Sequence, residues 1–189
     1  MSSRVDLRNL RITGASASSG VRVDAAVLIV NVANCCFAGN QTAFESGTVP
    51  GVSFTHNTCY GPQGIWASGG SFCVLINNVV HATGAWALRT TGCAADYNVY
   101  FAPSGAVATD GTNLYATLAA WRGALGQDAH SLGADPLLAN PAAGDLHLQP
   151  GSPAKDMALG GATGLPVADA EGYARGTGVG PDGGAFEIP

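Results

Sequence analysis

From residue 1 to about residue 112, apolar and polar positions alternate in short runs that repeat along the chain. The stretch from Gly64 to Asn78 shows the unit most fully. It comprises a glycine, the run Ile65-Trp66-Ala67, a small-residue turn at Ser68-Gly69-Gly70-Ser71, an apolar run from Phe72 to Ile76 and the pair Asn77-Asn78. Runs this short and β-rich predict strands, and none is long enough to form a stable sheet alone. An asparagine followed by an apolar or small residue recurs as Asn9-Leu10, Asn34-Cys35, Asn57-Thr58, Asn78-Val79 and Asn98-Val99, at intervals of 20 to 25 residues. A period in that range, carried by strand-like runs, marks stacked coils that bury one another's faces. Asparagine tolerates left-handed backbone at a tight turn, and its amide can bond the same residue one coil away. The pattern therefore predicts an asparagine ladder along the column.

A second set of positions carries the register. Gly20-Val21-Arg22-Val23, Thr42-Ala43-Phe44-Glu45, Gly64-Ile65-Trp66-Ala67 and Gly84-Ala85-Trp86-Ala87 align without gaps. Successive strand residues face opposite sides, and an inward Arg22 would be an unpaired buried charge. The alignment predicts Val21, Ala43, Ile65 and Ala85 inside, and Arg22, Phe44, Trp66 and Trp86 in one outward column. Glu45 then falls on the inward parity. Four to five coils at about 4.8 Å each would stand about 20 to 25 Å tall.

This repeat of glycine, apolar segment, turn, apolar run and asparagine resembles the right-handed parallel β-helix proteins of the pectate-lyase-like superfold. Past Asp110 the pattern changes. Asn113 is a candidate cap for a helix over 114–125, in which Leu114, Leu118, Trp121 and Leu125 share a face and Gly126 is the stop. Trp121 is expected in the core. The blocks that follow are Gly126 to Leu132, Ala134-Asp135-Pro136-Leu137, Asp145-Leu146-His147-Leu148, Gly151 to Asp156, Asp169-Ala170-Glu171-Gly172 and Asp182 to Glu187. In that order they resemble the closing segment of bacterial exported β-helix proteins with a choice-of-anchor region. Lys155 and Gly183 stand where that family usually has apolar residues.

The expected architecture is all-β: a right-handed, single-stranded parallel β-helix of four to five coils over residues 1–112. Residues 113–189 add one short α-helix and a C-terminal capping tail to the same domain. A solenoid end exposes strand edges and a cross-section of core, so the tail is expected to cover the last coil. In its turns Asp145, Asp156, Asp169 and Asp182 are expected to accept backbone N–H bonds, with Arg175 as an ion-pair partner. Val5 to Ile12 already read as coil interior. That predicts either further coils upstream or a first coil covered by a second copy.

Composition narrows the function classes. The chain has 189 residues, 47% hydrophobic and 11% charged, with 27 glycines, which fits one β-rich, turn-rich domain. A net charge of -5 with only eight Lys and Arg removes the electrostatic basis for nucleic-acid or anionic-membrane binding. No run approaches the roughly 20 apolar residues of a membrane-spanning helix, and Met1 to Asp6 lack the apolar core of a signal peptide. The resemblance implies a secreted or cell-surface location. The five cysteines, Cys35, Cys36, Cys59, Cys73 and Cys93, show no C-x-x-C spacing. They read as small buried hydrophobes stacked through the coils, with a disulfide between neighbouring coils as the alternative.

The resemblance also implies a polysaccharide groove along one strand face. Phe44, Trp66 and Trp86 can pack on sugar rings and Arg22 can meet a uronate or sulfate in a bidentate pair, which makes these four the candidate substrate-binding set. The competing reading packs the same rings under turn loops, the helix or a dimer interface. A β-helix lyase needs a cation and a base, and a hydrolase needs two carboxylates at a set distance. Neither set stands out, although Asp24, Glu45, Ser68 and Arg89 flank the column, so no catalytic residue is assigned. His56 and His81 fall out of register for a shared metal, His130 and His147 read as hydrogen-bonded structural groups, and no motif indicates a cofactor.

Two functions remain. One is a carbohydrate-interacting β-helix domain, whether part of a lyase or hydrolase acting on acidic glycans or a binding remnant of one. The other is a non-enzymatic structural or adhesin module that self-associates as a homo-oligomer through its uncapped N-terminal coil.

Overall fold

The structure, a computed structural model, describes residues 3–24, 27–161, 165–176 and 179–188. It is a right-handed parallel β-solenoid of five turns, each contributing a strand to three faces. Face A stacks β1 (Arg4–Arg8), β4 (Ile29–Ala33), the end of β6 (Thr42–Thr55), the end of β7 (Thr58–Ile76) and β9 (Ala94–Asp96). Face B stacks β2 (Arg11–Thr13), β5 (Cys36–Ala38), the start of β7, the start of β8 (Val79–Thr91) and β10 (Val99–Phe101). Face C stacks β3 (Ser19–Val23), the start of β6, the middle of β7, the end of β8 and β11 (Ala106–Thr109), with β12 (Leu114–Tyr115) added antiparallel. The three long strands run continuously around a corner, which is why the repeat reads as one extended apolar stretch. Gly64 sits at such a corner because a Cβ there would collide with the Ala87 carbonyl oxygen of the next coil.

Inward residues fill the column from all three faces, among them Val32, Phe54, Leu75, Phe37, Cys59, Tyr100, Phe44, Ile65 and Leu88. Phe54 lies 5.7 Å from Phe37 and 4.8 Å from Phe44 between ring centroids, joining the faces at the centre. Cys73 and Cys93, neighbours in register on face A, form a disulfide between the fourth and fifth coils, while Cys35, Cys36 and Cys59 are free and buried.

The turn from face A to face B repeats most strictly. One residue per coil is left-handed: Asn9, Asn34, His56, Asn77 and Tyr97, with φ from 52° to 61°. The next residue, Leu10, Cys35, Asn57, Asn78 or Asn98, points inward. The expected ladder therefore consists of Asn57, Asn78 and Asn98, all fully buried, whereas Asn9 and Asn34 belong to the neighbouring left-handed column. Asn57 N–H donates to Asn78 Oδ1 (3.0 Å), and Asn78 Nδ2 donates to the Phe54 carbonyl (2.8 Å). Each rung thus satisfies both an N–H and a C=O of the coil below.

The helix α1 spans Leu118–Leu125 rather than 114–125. Thr117, not Asn113, is its cap, accepting from Ala120 N–H at 3.2 Å, because Leu114 and Tyr115 pair as a strand with β11. Gly126 ends it in the left-handed conformation, φ 65°, as expected. Trp121 is buried at 1% exposure and donates from Nε1 to Asp128 (2.8 Å). The helix and Asp128–Leu132 close the last coil: Asn98 N–H donates to Ser131 Oγ (2.8 Å), and Leu132 pairs with Val99 as the start of a sixth rung.

Beyond Leu132 the tail does not cap the column but runs back down its side. The hairpin β13 (Leu138–Asn140) and β14 (Asp145–Leu148), with Ala154, Ala185 and Phe186, packs on the outward Cys36, Val79 and Val99 of face B. The four aspartates do accept backbone N–H bonds, as in Asp156 from Val179 (3.0 Å) and Asp169 from Tyr173 (2.9 Å). The carboxylate that Arg175 meets is Glu187 (2.7 Å), not one of them.

Asn78→Ala removes a side chain that serves four buried groups, the Asn57 N–H, the Asn57 side-chain amide, Asn98 Oδ1 and the Phe54 carbonyl. Unsatisfied buried groups cost about 1 to 3 kcal/mol each, so a loss of about 3 kcal/mol is expected. It reads as a lower urea midpoint at unchanged m-value.

Candidate functional site

Parallel pairing fixes which side chains leave the column. On face C, Val21 aligns with Phe44, Ile65 and Leu88, and Arg22 aligns with Glu45, Trp66 and Arg89. Phe44 is therefore inward and fully buried, and Glu45 is outward, the reverse of the gapless alignment. Trp86 is 7% exposed and pairs with Gln63 and Ala106, three residues from the Trp66 register. Of the candidate set only Arg22 and Trp66 share a column. Both are occupied within it: Arg22 Nε lies 3.5 Å from Asp24 and 3.8 Å from Glu45, and the Arg89 guanidinium lies 4.2 Å over the Trp66 ring.

Face A is open. Its outward side chains form three columns, Ile29–Gly51–Phe72, Asn31–Ser53–Val74 and Ala33–Thr55–Ile76, with Arg4, Asp6 and Arg8 beneath them on coil 1. Leu28 and Pro50 rise on one side, and Leu159 and Leu165 from the tail on the other, to enclose a groove of ≈ 790 Å³. Phe72 is 71% exposed on its floor. At the lower end Arg4 is paired with Asp6 (2.8 Å), which also accepts from Asn31 Nδ2 (2.7 Å). Arg8 has no ion pair among the described residues and lines the groove. No Asp or Glu lines it among the described residues, so the groove presents sites for holding a ligand and no paired carboxylates. Nothing in the Gly64–Asn78 pattern distinguished Phe72 from the inward apolar residues beside it, because the run Phe72-Cys73-Val74-Leu75-Ile76 is apolar on both parities.

A side pocket of ≈ 310 Å³ adjoins the groove and shares Leu159 and Leu165 with it. His56 and Arg175 line this pocket. Arg175 Nη1 donates to Glu187 (2.7 Å) and to the Asp182 carbonyl (3.1 Å), and Nη2 donates to Asn34 Oδ1 and the Gly184 carbonyl (both 2.8 Å). Burial, with Arg175 close by, pushes the His56 imidazole down to about 2, so it is neutral.

His81 lies elsewhere, on face B between Tyr60 and Phe101 at 5.1 and 4.8 Å between centroids, and burial lowers it also. His130 bonds Asp96 (2.8 Å) and stacks on Tyr97; His147 bonds Asp145 (2.6 Å) and stacks on Phe186. Comparison of the chain with protein-family profiles, curated proteins and solved structures finds no match.

Because His56 and His81 take protons in the unfolded chain below about pH 6.5 that the folded protein refuses, stability is present above that pH and is lost as pH falls. Each refused proton contributes a slope of about 1.4 kcal/mol per pH unit. Denaturant titrations from pH 7 to 5 should show this decline, and His56→Gln should make it shallower.

Proposed function

We propose that the chain is a carbohydrate-interacting β-helix domain that holds an acidic glycan in the groove of face A. The observation that carries this reading is the exposed Phe72 on a floor shared with Asn31, Ser53 and Thr55, with Arg8, which makes no ion pair among the described residues, at its lower end. An aromatic face packs against the C–H face of a sugar ring, side-chain amides and hydroxyls bond its hydroxyls, and a guanidinium takes a carboxylate or sulfate bidentately. Strands spaced about 4.8 Å apart give a linear polymer repeated contacts along the column.

The resemblance of the repeat to pectate-lyase-like β-helix proteins supports the same reading. The Cys73–Cys93 disulfide supports an oxidising, secreted or surface location.

A glycan array of uronates, sulfated and neutral polymers tests this. Binding to acidic glycans is expected, weakened about tenfold by Phe72→Ala. Arg8→Ala should weaken acidic but not neutral ligands. Silence across the array would sink the proposal.

A second reading, a structural or adhesin module that self-associates, rests on coil 1. Val5 and Leu10 there are 37% and 42% exposed, and Leu7, Ile12 and Val21 are only partly buried. Light scattering should then show a dimer that Leu10→Lys dissociates; a strict monomer at high concentration excludes it.

A further inference from the structure

On face A the fourth coil departs from its neighbours. Coil 1 points Arg4, Asp6 and Arg8 outward, coil 3 points Gly51, Ser53 and Thr55, and coil 5 points Ala94 and Asp96, whereas coil 4 points Phe72, Val74 and Ile76 outward around the inward Cys73 and Leu75. A strand that is apolar on both parities has the pattern of one covered on both faces. Here the outer cover is partial: Phe72 is 71% exposed, and Val74 and Ile76 are half-buried.

The tail supplies one wall of that cover. Leu159 N–H donates to Asn77 Oδ1 (2.8 Å) and Asn77 Nδ2 donates to the Leu159 carbonyl (3.0 Å), which fixes Leu159 against the residue next to Ile76. Past Leu165, the Val167 carbonyl accepts from the Arg175 backbone N–H (3.0 Å). Leu159 and Leu165 therefore line the Ile76 side of the groove, while Leu28, Ile29 and Pro50 line the Phe72 side.

The two sides suit different parts of a ligand. Phe72 offers a ring face to a sugar, but sugar hydroxyls set against Val74, Ile76, Leu159 and Leu165 would be desolvated without partners, since the polar side chains of the floor, Asn31, Ser53 and Thr55, belong to coils 2 and 3. A hydrocarbon chain carries no such cost and gains by burial. The volume of ≈ 790 Å³ lies in the range of about 300 to 1,000 Å³ typical of small-ligand sites. A walled recess of that size takes a chain, not the broad patch of about 1,200 Å² or more through which proteins associate. At the other end Arg8 makes no ion pair and no Asp or Glu lines the groove among the described residues, so the site has the polarity of an anionic amphiphile.

We propose that the acidic glycan of this groove carries an acyl or alkyl chain, seated between Val74 and Ile76 of coil 4 and Leu159 and Leu165 of the tail. This inference rests on the glycan reading of the groove and sharpens it to a ligand class.

Alkyl glucuronides of increasing length, used below their micelle concentrations, test it by titration calorimetry. A fully buried methylene is worth about fourfold in affinity, and about half of that free energy, about twofold, remains in a groove open on its outer side. Octyl β-D-glucuronide, seven methylenes longer than methyl β-D-glucuronide, should therefore bind about a hundredfold more tightly. Ile76→Asn should flatten this dependence on length, and Leu165→Ser, in the tail, should flatten it if the strand variant folds poorly. NMR should show the chain methylenes close to the Ile76 and Leu165 methyl groups. Equal affinity of the methyl and octyl compounds, a length dependence that survives both substitutions, or the absence of those methyl contacts overturns the chain site. Binding of acidic polymers would in that case leave the glycan groove standing. Silence of the polymers with a length dependence among the glucuronides sinks the polymer reading and keeps the chain site. Octanoate binding as tightly as octyl glucuronide overturns both, because the sugar then contributes nothing.

Discussion

The constraint on which the rest of the molecule depends is the turn from face A to face B, where each coil passes through one left-handed residue and buries the peptide groups that follow. Those groups lie inside the column and cannot reach water, so each must find a partner. Asn57, Asn78 and Asn98 supply it, each accepting an N–H from the rung below and donating to a carbonyl of the coil below: Val32, Phe54 and Leu75. At the top, Ser131 and Asp128 replace the missing asparagine. At the bottom, Cys35 stands in the same position, and its thiol reaches the Leu7 carbonyl only at 3.7 Å. A thiol is a weak donor, so coil 1 is the least firmly stapled of the five, in keeping with the exposure of its side chains.

The same turn has an outer side, and it organises the tail. Asn34 and Asn77 dock Ala168 and Leu159 by their side-chain amides, and Arg175 bridges Asn34 to Glu187 and to the Asp182 and Gly184 carbonyls. The guanidinium is buried, and it is tolerable there because four acceptors meet its two terminal nitrogens. Where the tail docks it braces the column. Beside those docking points, Leu159 and Leu165 form part of the wall of the groove and of the side pocket. One turn therefore carries two neighbouring columns, an inward staple and an outward dock for the tail.

The number of coils, the strand-rich repeat and the helix stop at Gly126 were legible because each rests on residue types with few alternatives. The register was not. The pairs Val21–Phe44, Phe44–Ile65 and Ile65–Leu88 are offset by 23, 21 and 23 residues, and a gapless alignment replaces these odd steps with even ones. A slip of one residue exchanges inside for outside. Phe44 accordingly moved into the core and Glu45 out of it. The irregularities that change the step fall at corners, between Ser46 and Thr48, Val49 and Gly51, and Gly61 and Gln63. Small, turn-forming residues dominate there, and the hydrophobic pattern that reports register is silent. The tail's course down the side was hidden for a related reason: its docking partners are an outward asparagine column that the sequence does not separate from the inward one beside it.

Charge is distributed along the column in a way that bears on the groove. Arg4, Arg8, Arg11 and Arg22 are four of the eight basic residues of the chain, and only Asp6 and Asp24 oppose them within the first 24 positions. The remainder, with four basic and eleven acidic residues, carries the whole of the net negative charge. At physiological ionic strength fields fade over about 8 Å, so a polymer in the groove senses the coil nearest to it rather than the net charge. On the proposed reading an anionic glycan would be drawn to the coil 1 end, where Arg8 makes no ion pair among the described residues. The same reading would give the groove a direction, with charge recognition at the lower coils and ring packing on Phe72 in the fourth. The two halves of such a site would act through different physics, and salt should weaken the first while leaving the second.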